Sequence, residues 1–136
     1  MKRSTLIIAG IIAVVIFTIG GFFLTRYSRQ STLKKALNIN QLPASLEILD
    51  YGDEGVSSFR AEYYLSVDPK QFDELIKGRK YELHAASKDD LTRYATHPPT
   101  GIFVPVVLCI WGTEKNRTIV YTNIDKSLVF VIWDAE

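Results

Sequence analysis

The pattern of apolar and polar positions divides the chain into two unlike parts. Leu6 to Leu24 is an unbroken run of 19 uncharged residues, LIIAGIIAVVIFTIGGFFL, with no polar face. At about 1.5 Å rise per residue, a helix of this length spans the ~30 Å hydrocarbon core of a bilayer while satisfying its own backbone hydrogen bonds. Lys2 and Arg3 precede the run, and Arg26, Tyr27 and Arg29 follow it as interface anchors. The run is too long for the apolar region of a signal peptide. Cleavage after Thr18-Ile19-Gly20 would leave Gly21-Phe22-Phe23-Leu24 stranded at the new terminus. The expectation is a membrane anchor over 1–30 with its span at about 6–24. Ala9 and Ala13 form a small pair at helical spacing that suits helix-on-helix packing.

Beyond the span the periodicity becomes that of a folded domain. Residues 31–43 read as a juxtamembrane basic linker. In it Leu33, Ala36 and Leu37 share a helical face and Lys34 and Lys35 lie off it, and Pro43 ends it. Residues 45–67 predict a β-hairpin. Phe59, Ala61, Tyr63, Leu65 and Val67 alternate with polar residues, and Gly52-Asp53-Glu54-Gly55 supplies the turn. Asp68, Pro69 and Gln71 predict a capped helix whose apolar face is Phe72, Leu75 and Ile76. Gly78 is placed as its left-handed closing residue.

Lys80 to Ala85 is a short candidate strand. Ser87-Lys88-Asp89-Asp90 starts a second helix, which carries Leu91, Tyr94 and Ala95 on one side and stops at His97-Pro98-Pro99-Thr100-Gly101. Val106–Trp111, Thr118–Asn123 and Leu128–Trp133 predict three further strands, the first of them central because its run is continuously apolar. The sum is an α+β domain over 44–136, with a largely antiparallel sheet of about five strands and two short helices on one face.

Charge sharpens this division. Residues 1–35 hold six basic residues and no acidic one, whereas 36–136 hold ten basic and fifteen acidic residues. The basic positions Arg26, Arg29, Lys34 and Lys35 are therefore the expected contacts with the membrane surface. The acidic domain repels phosphates and its basic residues are scattered, so nucleic acid is not expected as a partner. The flanking charges are nearly balanced. The usual export of a small domain behind an N-terminal span makes the extracytoplasmic side the expected location.

Candidate chemistry is sparse. Cys109 lies in the apolar run Val106–Ile110 and reads as a small core residue. His84 and His97 stand in no nucleophile motif, and one cysteine with two scattered histidines gives no zinc spacing. Phosphate-cradling glycine motifs are absent. No cofactor or catalytic residue is expected, and the chain reads as a non-enzyme. Asp50, Asp53 and Glu54 form an acidic hairpin tip without the spacing of a calcium loop; as a site they would bind a cation only weakly. Asn116-Arg117-Thr118 matches a glycosylation acceptor by pattern alone. The leading expectation is a single-pass membrane-anchored binding or accessory domain whose partner is another membrane or envelope protein. The alternative is a small-ligand or cation-binding domain using the tip at Asp50–Gly55 with Tyr51 and Tyr64.

Overall fold

A computed structural model describes residues 2–55, 58–99, 101 and 103–136, with side chains from residue 7 onward. Lys2, Arg3 and Leu6 as side chains, and Thr100 altogether, lie outside that description. The chain forms two compact units, Met1–Leu33 and Lys34–Glu136. The first is helical. It belongs to α1 (Lys2–Leu37), whose segment from Ile7 is long and apolar enough to cross a membrane and whose most apolar stretch is not buried inside the protein. Phe17, Leu24 and Val14 are among the large side chains left exposed there. Thr18 and Thr25 return their hydroxyls to the carbonyls of Val14 and Gly21, so neither leaves a polar group unmatched along the helix.

The second unit is a six-stranded, wholly antiparallel sheet, in the order β1-β2-β6-β5-β4-β3. Its strands are β1 (Glu47–Glu54), β2 (Phe59–Ser66), β3 (Glu82–Ala85), β4 (Val107–Gly112), β5 (Arg117–Thr122) and β6 (Leu128–Ala135). The α+β reading of the sequence holds, with one strand more than the expected five. The added strand is β3, an edge strand whose four side chains are all exposed. It is the short candidate strand at Lys80–Ala85, which the structure places at Glu82–Ala85. The centre of the sheet is β6 beside β5, and β4 sits one place from the edge.

Both faces of the sheet are covered, which departs from the expected single helical layer. On one face Tyr63, Leu65, Val120, Val129 and Val131 are fully buried. The last turn of α1 covers this side, and the Thr118 hydroxyl donates to the Ala36 carbonyl at 2.8 Å. Ala36 and Leu37 are also fully buried. Asn38, at φ 55°, closes the helix in the left-handed conformation. Arg79 donates to the carbonyls of Ala36 and Lys35 at 2.9 and 3.1 Å while its guanidinium lies 3.7 Å above the Trp111 ring. A cation among the last carbonyls of a helix complements the negative end of its dipole.

Helix α2 (Phe72–Ile76) follows a short 3-10 turn, Pro69–Gln71. Asp68 caps that turn by accepting from the Lys70 amide, but Gln71 does not close a capping box. Its side-chain oxygen instead accepts from both the amide and the hydroxyl of Ser45. Gly78 does not adopt the left-handed conformation. It is needed because the segment after α2 passes against the end of α1: a Cβ there would lie 2.3 Å from the Asn38 carbonyl oxygen and 2.4 Å from that of Leu37.

The opposite face carries Leu108, Ile119, Tyr121, Phe130 and Ile132, which form one cluster with Leu91 and Phe103. Helix α3 (Lys88–Tyr94) delivers Leu91. Its N-terminus is a full capping box, in which the Ser87 side chain accepts from the Asp90 amide and the Asp90 carboxylate accepts from the Ser87 amide. These hydrogen bonds hold the exposed Asp90 carboxyl below the usual carboxylate range. The Tyr121 hydroxyl donates to the Asp90 carbonyl, tying α3 to the sheet.

Gly78→Ala is expected to cost about 1–3 kcal/mol through overpacking against backbone that has no side chain to move. Urea titration in detergent micelles reads this as a lowered midpoint. Gly10→Ala, where an added Cβ meets nothing within 4 Å, leaves the midpoint unchanged.

Candidate functional site

Alternation along β2 places Arg60, Glu62 and Tyr64 on the same face as Phe130, Ile132 and Asp134 of β6. On the other side of β2, Glu54, Gly52 and Asp50 of β1 pair with those same three residues. One end of the sheet thus gathers a set of charged groups over an apolar floor.

The centre of that set is a shared carboxylate. Arg60 grips Asp134 with two nitrogens, Nε at 2.6 Å and Nη2 at 3.1 Å, and Arg117 reaches the same carboxylate through Nε at 2.6 Å. Asp134, hydrogen-bonded to Arg60, holds the guanidinium pKa above its ordinary value, although burial works against it. Arg60 Nη1 donates onward to the Tyr94 carbonyl at 2.9 Å and to the Thr96 hydroxyl at 3.2 Å. Arg117 lies against the Tyr94 ring.

Glu62 completes the arrangement. Its side chain is 4 % exposed. One carboxylate oxygen accepts from the Thr96 amide at 2.6 Å and the other from the His97 amide at 2.8 Å. Two residues of β2 therefore hold the segment that follows α3: Arg60 takes its carbonyl and hydroxyl, and Glu62 takes its amides. Burying a carboxylate is costly unless such donors match it.

Held in this way, His97 stands over β1. Its Nδ1 is 3.9 Å from Glu62 Oε2 and its Nε2 is 3.8 Å from Glu54 Oε1. These are charge-pair distances, too long for hydrogen bonds. The imidazole lies above Gly52, where an added Cβ would sit 3.6 Å from Nδ1. Beside it opens a cleft of about 530 Å³, lined by Asp50, Tyr51, Gly52, Asp53, Glu54, Glu62, Tyr64, His97, Pro99 and Phe130. Burial raises the pKa of the Tyr64 hydroxyl.

The three acids of the hairpin tip all line this cleft, together with Tyr51 and Tyr64. They do not converge. Strand alternation sends Asp50 and Glu54 to one face and Asp53 to the other, where it accepts from the Tyr51 hydroxyl at 3.1 Å. Asp50 accepts from the Tyr51 amide at 2.8 Å. Among the described residues, no three His, Cys, Asp or Glu side chains are grouped so as to hold a metal ion.

Comparison with protein-family models, with curated proteins and with solved structures finds no match to this chain.

The remaining candidate residues are scattered. His84 lies on exposed β3, 3.7 Å from Glu82. Cys109 is buried, and burial pushes its thiol up to about 11. Arg26 and Arg29 belong to the helical unit, whereas Lys34 and Lys35 belong to the sheet unit. Sequence reasoning treated Arg60 and Glu62 as the solvent side of a half-buried strand. The signal that could have placed them was Leu128–Trp133. A run apolar at every position has both faces covered, and so does the strand beside it.

Glu62→Gln replaces one accepting oxygen with a donor facing an amide. The expected loss is about 1–3 kcal/mol of local stability. Hydrogen exchange at the Thr96 and His97 amides is then about ten- to a hundredfold faster, with exchange in β5 unchanged.

Proposed function

We propose that this chain is a single-pass membrane-anchored binding module. Its acidic α+β domain stands on the extracytoplasmic side and engages another membrane or envelope protein, and it carries out no chemistry of its own. The observation that carries this reading is the pairing of an apolar helix that is not buried inside the protein with a domain that has its own core on both faces of a sheet. A helix of that composition needs lipid around it, and a tether restricts the domain to a thin layer, which raises its effective concentration for membrane partners.

The surroundings of the histidines support binding over catalysis. The groups recorded beside His97 and His84 are carboxylates, not the hydroxyl or thiol that a nucleophile–base pair needs. The basic positions Arg26 and Arg29 suit contact with lipid headgroups just beyond the span.

A second reading, a domain for a small ligand or cation, draws support from the cleft, because the acids of the hairpin tip line it beside Tyr51 and Tyr64. Calorimetry with divalent cations separates the two. Heat from the wild type that Asp53→Asn removes would favour the second reading, and no heat favours the first.

A reporter active only outside the cytoplasm, fused after Glu136, is expected to be active on an uncleaved product. A silent reporter at normal expression would put the domain in the cytoplasm. Capture of the full-length protein in mild detergent is expected to return a specific protein partner. A lone monomer with none would overturn the module reading.

A further inference from the structure

We propose that the cleft beside β1 receives a lysine or arginine side chain from an extended basic segment of the partner protein. The inference rests on the binding-module reading and names the chemistry of what binds.

Shape supports it first. The cleft is a built feature, since its far wall is the segment that Arg60 and Glu62 hold through four hydrogen bonds. Gly52 leaves its near wall without a side chain, and the volume of about 530 Å³ falls within the range of ordinary ligand sites.

Charge and lining come next. Asp50, Glu54 and Glu62 face the space, and among the described residues no lysine or arginine lines it. Glu62 is fixed by its two amides, with Arg60 Nη1 3.7 Å from one of its oxygens, so it forms a preorganised part of the wall rather than a mobile one. Phe130, Tyr64 and Pro99 give apolar and aromatic surface. A long basic side chain matches this combination, laying its methylene stem on the rings and its charged head among the carboxylates. A metal ion does not, because the acids lack converging geometry.

The strand supplies the partner's backbone conformation. β1 is the edge of the sheet, eight residues long, and among the described residues no strand pairs with its outer side. An extended segment laid along such an edge gains main-chain hydrogen bonds, while alternate side chains drop into neighbouring pockets. Four of the eight β1 residues are acidic and none is basic, so the edge selects a basic segment. The chain's own basic stretch from Arg26 to Lys35 is helical and does not supply that segment.

The test uses the full-length protein in phosphatidylcholine nanodiscs. A fluorescent alternating Lys–Thr octapeptide is titrated by anisotropy, with a Glu–Thr octapeptide as control. The Lys–Thr peptide is expected to bind and the Glu–Thr peptide is not. Gly52→Val puts a strand-favouring side chain into the cleft, its Cβ in ordinary contact with His97 Nδ1 at 3.6 Å. Asp50→Asn with Glu54→Gln removes two charges without changing shape. Each is expected to weaken binding by about tenfold or more, with the thermal midpoint unchanged.

Equal affinity for both peptides, or wild-type affinity in both variants, would overturn the site. So would displacement of the peptide by calcium chloride at concentrations where sodium chloride of equal ionic strength has no effect. Partner capture separates the two levels of the argument: capture that survives Gly52→Val sinks this site and leaves the module reading standing. Failure of the wild type to capture any protein counts against the module reading itself.

Discussion

Two arginines on separate strands close on one carboxylate, and the candidate site hangs from that contact. Asp134 receives Arg60 and Arg117, one from each of the strands flanking β6. The three side chains are between 13 and 23 % exposed, so the charges are partly withdrawn from water and must be matched where they stand. Arg60 is then free to use only its remaining nitrogen, and that nitrogen reaches the Tyr94 carbonyl and the Thr96 hydroxyl. Glu62, two residues along the same strand, takes the next two amides. The end of α3, the position of His97 and the wall of the cleft all follow from the register of β2 against β6.

The opposite face of the sheet rests on a different device. There the last turn of α1 meets the sheet through main-chain carbonyls, which Thr118 and Arg79 satisfy from two directions. Trp111 stacks on the Arg79 guanidinium, and burial lowers the pKa of that guanidinium. Close packing at Gly78 completes the contact. A sheet with both faces occupied in so short a chain is economical: each of the two helical coverings brings few apolar side chains, and polar contacts to backbone complete the seal.

Elements with a buried face were legible in the sequence. The alternation Phe59–Ala61–Tyr63–Leu65 marked β2, and Ser87 with Asp90 marked the start of α3 within a residue. The apolar run at Leu6–Leu24 marked a helix able to cross a membrane. The features that were missed depend on distant contacts. Gly78 was assigned to a local helix stop, but the constraint on it comes from carbonyls forty residues earlier in the chain. Glu62 looked like an ordinary outward strand residue until the segment after α3 folded over it. The acids at Asp50, Asp53 and Glu54 were visible as a turn-like cluster, yet strand geometry divides them between two faces.

The acidity of β1 has a consequence for pairing between copies. An uncovered strand edge is a template on which like chains can zip together. On β1, Glu47, Asp50, Asp53 and Glu54 would confront the same four carboxylates on a second copy. β3, the other edge, is only four residues long and offers little to extend. Mutual repulsion among these carboxylates therefore guards a long uncovered strand against copies of itself.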